Sequence, residues 1–299
     1  ATASMDGSFG IWRVDDLGPE VVAPSQRINA HTRTVHSVAL DPNAERVLVG
    51  SAEPSAATWD LTPLKEDALE FCRRLAQTTH AELTAAERDN TVRVVLLRAE
   101  GDMFSAGNDI ADFLNNPPAT TDSPVFRFLR GIAQFPKPLI AAVCGPAVGV
   151  GTTLLFHCDL VYAGDNAAFS MPFVNLGLCP EAASSLLVPQ MLGYHRAAEA
   201  LLLGEPFMAE AALEVGLVNR VLPPLEVAGY AQTVARKMAA KPISSLIETK
   251  RLMKKGQLKQ VMDVMAEEGV SFGRMLGEPA AKEAFGAFME RRKPDFSKV

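Results

Sequence analysis

The longest uncharged stretch of the chain is "PLIAAVCGPAVGVGTTLLF", residues 138–156. Its length approaches that of a membrane-spanning helix, which needs about 20 apolar residues. Glycine and proline residues between positions 145 and 151 interrupt it, however, and such residues punctuate regular structure. The segment before them, 138–144, is apolar and partly β-branched, which favours a strand. The stretch therefore predicts a buried strand, a turn and a helix start near residue 151, and not a membrane segment.

Alternation of strand and helix signals continues on both sides of this stretch. "VRVVLLRA" is a nearly continuous apolar run and predicts a strand buried on both faces. Strands interleaved with helices predict a mixed α/β core. The predicted strands lie at 92–99, 138–144, 160–163 and 167–172, and helices begin near 151 and 181. From about Glu226 the pattern is helical, with breaks at Pro242, Gly256 and 277–279.

Three regions are predicted along the chain: an extension of unknown role at 1–43, the core at 44–225, and a helical part at 226–299. "ERVLV" and "ATWDL" at the start of the core suggest a hairpin, followed by a helix from Thr62 to about Arg88. "DGSFGIWRVDD" and "HTRTVHSVALDP" in the extension look strand-like. With "ATWDL" they resemble one blade of a WD-repeat protein. One blade cannot bury its own faces, so we treat this resemblance as coincidental.

The charge balance argues against nucleic acid as a partner. The net charge is -6, whereas neutralising phosphates requires an excess of Lys and Arg. The four cysteines include no C-x-x-C pair, which is typical of reduced thiols in a reducing compartment, and no secretory signal is recognisable. We therefore expect a cytoplasmic protein. The sequence ends in Ser297-Lys298-Val299, which differs by one residue from the peroxisomal signal Ser-Lys-Leu. A peroxisomal location is therefore the alternative. No histidine spacing indicates a metal site.

Two stretches rich in small residues are candidate ligand-binding elements. In "FSAGNDI" (104–110) small side chains would let backbone N–H groups approach a ligand closely; an ordinary turn with Asp109 as an N-cap explains the same residues. "GPAVGVGTTLL" (145–155) places free N–H groups at a helix N-terminus, where an anion could bind. Tight strand–helix packing is the alternative there. No Lys follows these glycines, so the stretch is not a Walker loop.

Glu181, in "NLGLCPEAASS", is the only Asp, Glu, Lys or Arg between residues 166 and 195. Residues 182–187 look helical, so we predict Glu181 in the first turn of a helix, where the dipole favours a carboxylate. Caps usually meet water, whereas this glutamate has mostly apolar neighbours. Burial would raise its pKa towards a value useful for a general base, and the helix end would lower it. Composition is compatible with both roles for Glu181, helix capping and proton transfer.

Taken together, the three stretches resemble the crotonase, or enoyl-CoA hydratase/isomerase, superfamily over roughly residues 44–299. "VRVVLLRAEGDMFSAGNDIADF" resembles the CoA-side loop, the segment from "PKPLIAAV" to "FVNLGL" the central block, and "EAFGAFMERRKPDF" the common ending. The resemblance implies an α/β crotonase (ClpP/crotonase-like) ββα spiral core with a helical C-terminal part that forms homotrimers or hexamers. It also implies an acyl-CoA substrate, no metal and no redox cofactor, since CoA arrives as part of the substrate.

The resemblance further assigns a site. By position, the N–H groups of Ala106 and Val150 would stabilise an enolate oxygen. The two hydratase glutamates are replaced by Thr153 and Phe173, neither of which exchanges protons at neutral pH. Glu181 falls where Δ3,Δ2-enoyl-CoA isomerases carry their single glutamate. The residues expected to contact substrate are Ser105, Gly107, Asn108, Asp109, Ile110, Gly149, Phe173, Leu178 and Pro180.

The favoured interpretation is an isomerase that moves a double bond from C3 to C2 of an acyl-CoA thioester, with Glu181 as the proton shuttle. Two alternatives stay open. One is an enoyl-CoA hydratase or another crotonase-type acyl-CoA reaction. The other is a non-catalytic acyl-CoA-binding or interaction protein.

Overall fold

The computed structural model describes residues 2–3, 8–11, 26–29, 37–40, 47–50, 80–99, 103–108, 123–290 and 292–299. Its first five strands are β1 (Thr2–Ala3), β2 (Ser8–Ile11), β3 (Gln26–Asn29), β4 (Ser37–Leu40) and β5 (Val47–Gly50). β1, β2 and β3 form one antiparallel sheet, and β4 pairs with β5 in another. Both strand-like stretches predicted in the extension therefore contain a strand.

The pairing of β5 differs from the predicted hairpin. Its described partner is β4, which lies on the other side of residue 43, whereas "ATWDL" and most of the helix predicted from Thr62 lie outside the described residues. The helical residues 80–88, named α1, fall at the end of that predicted helix. The region boundaries at residues 43 and 225 stay predictions.

Seven further strands belong to the core. They are β6 (Val95–Arg98), β7 (Leu139–Val143), β8 (Pro146–Val148), β9 (Leu160–Gly164), β10 (Ala168–Ser170), β11 (Phe207–Met208) and β12 (Arg220–Leu222). β6, β7, β9 and β12 form a parallel sheet in the order β12-β9-β7-β6. All five residues of β7 are buried, as a central parallel strand covered on both faces requires.

Successive strands of this sheet alternate with a second, smaller sheet. β8 and β10 pair in parallel, and β11 pairs antiparallel with β10. The chain therefore runs from β7 to β8 and into a helix, then from β9 to β10 and towards the next helix. Each unit is a ββα turn, and the repetition of these turns matches the mixed α/β core predicted from the sequence.

Nine α-helices beyond α1 are described. They are α2 (Pro124–Gln134), α3 (Val150–Thr153), α4 (Ser184–Leu192), α5 (Tyr194–Ala198), α6 (Ala209–Glu214), α7 (Pro224–Ala239), α8 (Ile243–Lys255), α9 (Leu258–Leu276) and α10 (Pro279–Met289). A 3-10 turn, Leu154–His157, continues α3. The predicted breaks at Pro242, Gly256 and 277–279 are confirmed, because each coincides with a boundary between two C-terminal helices. Within the described ranges, no helix is long and apolar enough to cross a membrane.

α9 packs on the core through a stripe at helical spacing. Its buried residues are Val261, Met265, Glu268, Phe272 and Leu276. Four are apolar, as expected of a helix face that covers a core. The fifth is a carboxylate, which must find hydrogen-bond donors to be tolerated there.

Candidate active site

Two loops meet at the ends of core strands. Ser105, in the loop after β6, forms an isolated parallel bridge with Ala147 of β8. The Phe104 N–H donates to the Pro146 oxygen at 2.9 Å, and the Val148 N–H donates to the Ser105 oxygen at 2.9 Å. The stretches "FSAGNDI" and "GPAVGVGTTLL", far apart in sequence, are therefore joined side by side.

Small residues are required where these loops touch. Gly107 has φ 88°, and a Cβ on it would lie 2.9 Å from the Val148 oxygen. A Cβ on Gly151 would lie 2.6 Å from the Cβ of Ser105. Side chains at either position would push the loops apart, which explains the composition of both stretches.

Hydrogen bonds from Gly149 and Thr152 fix the start of α3. The Gly149 N–H donates to the Ser170 oxygen at 2.9 Å, and the Thr152 hydroxyl donates to the Ala147 oxygen at 2.6 Å. Among the described residues, no acceptor takes the N–H of Val150, the first helical residue, or that of Ala106. These two backbone donors come from the two adjoining loops.

Glu181 precedes α4 and does not belong to its first turn. The helix begins at Ser184, and both Ala182 and Ala183 are in the left-handed region, with φ 60° and 56°. That conformation costs an alanine about 1–2 kcal/mol. The prediction that Glu181 lies in the first helical turn is therefore wrong, because two left-handed residues separate the carboxylate from the helix.

The Glu181 side chain is buried, with 4% of its surface exposed. Its Oε1 accepts a hydrogen bond from the Thr153 hydroxyl at 2.5 Å. No donor in the described part of the chain reaches Oε2. Desolvation raises the pKa of Glu181 to about 8, against the opposing effect of the Thr153 hydrogen bond and with a smaller contribution from the negative charge of Glu268.

A second carboxylate provides the helix cap that Glu181 does not. Glu268 of α9 accepts from the Ala183 N–H at 2.5 Å through Oε2. Its Oε1 accepts from the Ser185 N–H at 2.8 Å and from the Ser185 hydroxyl at 2.5 Å. The positive end of α4 is thereby neutralised by Glu268, so desolvation decides the pKa of Glu181.

His157 contacts the same segment from the other side. Its Nε2 lies 2.8 Å from the Ala182 oxygen, and since a carbonyl accepts, Nε2 carries the hydrogen. Burial lowers the pKa of His157 to about 4, so the ring is neutral at pH 7.

Thr153 connects Glu181 to the helix that begins at Val150. Val150 and Thr153 are the first and last residues of α3, and the Thr153 hydroxyl donates to Glu181 Oε1. The helix that carries one of the two predicted oxyanion donors therefore also holds the buried carboxylate. Ala106, the other predicted donor, lies in the adjoining loop next to Ser105.

The other predicted substrate contacts divide into two groups. Ser105, Gly107, Asn108 and Gly149 lie in the two adjoining loops. Phe173 and Leu178 are buried in the core, with the Leu178 N–H donating to the Phe173 oxygen at 2.9 Å, and Pro180 directly precedes Glu181. Asp109 and Ile110 lie outside the described residues. In the described ranges, no group of three or more His, Cys, Asp or Glu is placed to bind a metal ion.

Comparison with known proteins identifies the family. The profile described as "Enoyl-CoA hydratase/isomerase" matches residues 65–298. The chain belongs to the enoyl-CoA hydratase/isomerase family. Its ββα turns are accordingly those of the crotonase fold.

The relatives of this chain include proteins named for each of the two activities in the family's name. It is 37% identical over 241 residues to "Enoyl-CoA delta isomerase 2" of Rattus norvegicus, covering 78% of this chain and 60% of the rat protein. It therefore spans less than two thirds of that relative. A "Probable enoyl-CoA hydratase" of Bacillus subtilis is 32% identical, covering 75% of this chain and 88% of its own. The structure of Pseudomonas aeruginosa OdaA superimposes with a TM-score of 0.71 at 49% identity, covering 73% of this chain and 89% of OdaA.

Two residues beside Glu181, His157 and Glu268, are not indicated by the sequence. Nothing in the immediate sequence of His157 indicates its contact with Ala182. Glu268 is 85 residues from Ala183, so no local motif could reveal their contact. Its position on the apolar stripe of α9 was the available signal, since a carboxylate on such a face needs buried donors.

Proposed function

We propose that this chain is an enoyl-CoA isomerase that moves a double bond from C3 to C2 of an acyl-CoA thioester, with Glu181 as the proton shuttle. The observation that carries the proposal is the environment of the Glu181 carboxylate. It is buried, one oxygen is held by Thr153, and no described donor reaches Oε2. Such an oxygen can take a proton from a substrate without first giving up a protein hydrogen bond.

Among the described residues near Glu181, no second carboxylate is available as an acid or base, which favours isomerisation over hydration. The positions that carry the hydratase glutamates hold Thr153 and Phe173. Glu268 is also near, but both of its oxygens already accept hydrogen bonds from Ala183 and Ser185. Activating water and protonating the product carbon would need two groups, whereas one carboxylate can remove a proton and return it.

The proposed reaction has two proton transfers. Oε2 of Glu181 removes a proton from C2 of a 3-enoyl thioester, and the electron pair delocalises into the thioester and the double bond. The N–H groups of Ala106 and Val150 would stabilise the negative oxygen of this dienolate; losing one such donor typically costs about 10²–10³ in rate. The Glu181 carboxyl then returns the proton to C4, which leaves the double bond between C2 and C3 conjugated with the thioester.

Burial makes the Glu181 carboxylate a stronger base. A pKa of about 8 brings the carboxylate closer to the acidity of the C2 proton than a pKa of 4.5 would. We expect Phe173, Leu178 and Leu186 to line the acyl pocket and to keep out water that would quench the dienolate. Because the same carboxyl carries the proton throughout, the proposed reaction needs no metal and no redox cofactor, and CoA enters as part of the substrate.

The proposal is tested by ultraviolet absorbance of a 3-enoyl-CoA mixed with purified protein. Conjugation raises the absorbance as the 2-enoyl thioester forms. We expect Glu181→Gln to lose about 10²–10⁴ in kcat, the usual contribution of a general base. Glu267→Gln is the matched control, because it makes the same change at an exposed position of α9.

The other outcomes of this experiment separate the alternatives. A flat trace from the wild type would refute the isomerase. Formation of a 3-hydroxyacyl product from a 2-enoyl-CoA, abolished in the same variant, would favour the hydratase. Acyl-CoA binding that is equal in wild type and Glu181→Gln, with no turnover of either substrate, would favour a binding protein.

We also propose that residues 226–299 mediate assembly into a homotrimer or hexamer, as the family resemblance implies. The C-terminal helices expose large apolar side chains at Met253, Val270 and Phe288, which an assembly through these helices would bury. Sedimentation velocity would test this, and a monomer at micromolar concentration would contradict it.

A further inference from the structure

One peptide group next to Glu181 is held at both ends by buried side chains. The C=O of Ala182 accepts from His157, and the N–H of Ala183 donates to Glu268. These two groups belong to the same planar peptide bond, where they point in opposite directions. His157 and Glu268 therefore hold this peptide from two sides.

The held peptide joins the two left-handed residues. Ala182 and Ala183 would each prefer the right-handed region, in which they would extend α4 backwards. Glu181 would then enter the first helical turn, which is the arrangement that the sequence alone predicts. The observed conformation persists because surrounding contacts determine it, as is typical of strained residues at active sites.

One anchor comes from an element that also serves the site, and the other from the core-facing side of α9. His157 ends the 3-10 turn that continues α3, and α3 supplies the Thr153 hydroxyl to Glu181. Glu268 occupies the buried stripe of α9 and has 7% of its surface exposed. Movement of the 182–183 peptide would therefore change the position of Oε2 relative to the two loop donors.

We propose that Glu268 and His157 are positioning residues that hold the Ala182–Ala183 peptide in its left-handed conformation and thereby direct the Glu181 carboxylate at the acyl group. This inference rests on the proposed function, because it assigns the two side chains to the geometry of the same reaction. Neither residue touches substrate in this scheme.

The variant Glu268→Gln tests the first anchor. A glutamine has the same shape but turns an N–H₂ group towards one of three donors, so at least one hydrogen bond is lost. We expect kcat to fall about 10–100-fold, since small misplacements at a reacting centre cost that much, while KM changes less than about threefold. Amide exchange at Ala183 and Ser185 should accelerate in this variant and not in Glu267→Gln.

The second anchor is tested by a pair of variants at His157. His157→Leu removes the donor to Ala182, and we expect the same selective fall in kcat. His157→Gln keeps an N–H donor to Ala182 and should therefore retain most of the wild-type kcat. If Glu268→Gln fails to fold, this pair still decides the matter, because a wild-type kcat in a folded His157→Leu would overturn the proposal.

Two further results would overturn the positioning role. Accelerated amide exchange in Glu268→Gln with wild-type kcat would show that Glu181 does not depend on the anchor. Unchanged exchange would show that the contact does not hold the segment. If the wild type itself fails to isomerise a 3-enoyl-CoA, the proposed function is refuted, and the amide-exchange comparison then decides by itself whether Glu268 anchors the peptide.

Discussion

The ionisation of Glu181 should make the folded chain less stable as pH rises, whereas a carboxylate with a lowered pKa makes a fold more stable as pH rises. The pKa of Glu181 is raised from 4.5 to about 8 in the folded chain. Below pH 4.5 the group is protonated in both states and costs nothing. Between these values the folded chain holds a proton that the unfolded chain has released, so the free energy of unfolding falls as pH rises.

The magnitude follows from this linkage. Within the window, each pH unit lowers the free energy of unfolding by up to about 1.4 kcal/mol. Between about pH 5.5 and 7.5 the total is ~2–3 kcal/mol, because the slope weakens near the folded pKa. Glu181→Gln carries no charge at any pH and has no such dependence. The variant should therefore gain ~2–3 kcal/mol relative to the wild type over this interval.

Denaturant unfolding of both proteins at several pH values is the appropriate assay. Other titrating groups are common to both chains and cancel in the difference between the two curves, apart from their coupling to Glu181. Parallel curves for wild type and variant would refute the reasoning, because they would mean that Glu181 ionises near pH 4.5 in the folded chain. The proposed base strength would then have no support.

Further predictions concern the groups around Glu181. Thr153→Val should raise the pKa of Glu181 and lower kcat/KM at pH 7 at least tenfold, since a hydrogen bond to a charged group contributes about 1.5–3 kcal/mol. Thr153→Ser keeps the hydroxyl and should restore both the pKa and kcat/KM. A pH–rate profile of each variant would measure both quantities. Gly151→Ala should lose about 10²-fold in kcat/KM by separating the two loops, whereas Gly229→Ala, where a Cβ meets nothing within 4 Å, should leave it unchanged. His157, whose pKa is lowered to about 4, should make the wild type lose stability as pH falls from 6.5 towards 4, and His157→Gln should lose less in denaturant unfolding.

The core was predictable because its signals are local. The apolar runs at 92–99 and 138–144 each contain a parallel strand. The second is buried throughout, as predicted, whereas in the first only alternate residues are buried, so the prediction of burial on both faces is wrong there. The glycines that follow the second strand lie where two backbones touch. The C-terminal helices end where Pro242 and Gly256 predicted. In these segments, local propensity and tertiary packing favour the same conformation.

The environment of Glu181 was only half predictable. Its isolation among apolar residues indicated burial, and burial does raise its pKa. The start of α4 was placed too early because local propensity favours extending a helix through two alanines. Hydrogen bonds from Glu268 and His157, remote in sequence, stabilise the left-handed alternative, and no pattern within 181–187 contains that information.

Two buried ionisable side chains, Lys250 and Glu181, affect the stability of the fold in opposite ways. Lys250 donates to the Lys137 oxygen at 2.8 Å and to Asp159 at 2.6 Å, and the same Asp159 oxygen accepts from the Leu139 N–H at 2.8 Å. This ion pair is satisfied and connects α8 to β7. Glu181 instead keeps an oxygen without a described donor beside two strained residues.

These descriptions predict opposite outcomes for two substitutions. Lys250→Met should lower the free energy of unfolding by about 3 kcal/mol, because it leaves a nearly buried carboxylate unpaired, and it should change kcat only a few-fold. Glu181→Leu should raise stability above pH 7, where the buried carboxylate is costly, and abolish turnover. A group retained for chemistry can lower the stability of the fold, so replacing it raises stability and removes activity. If Lys250→Met instead abolished turnover with stability intact, the ion pair would belong to the active site, and the separation drawn between the two groups would be wrong.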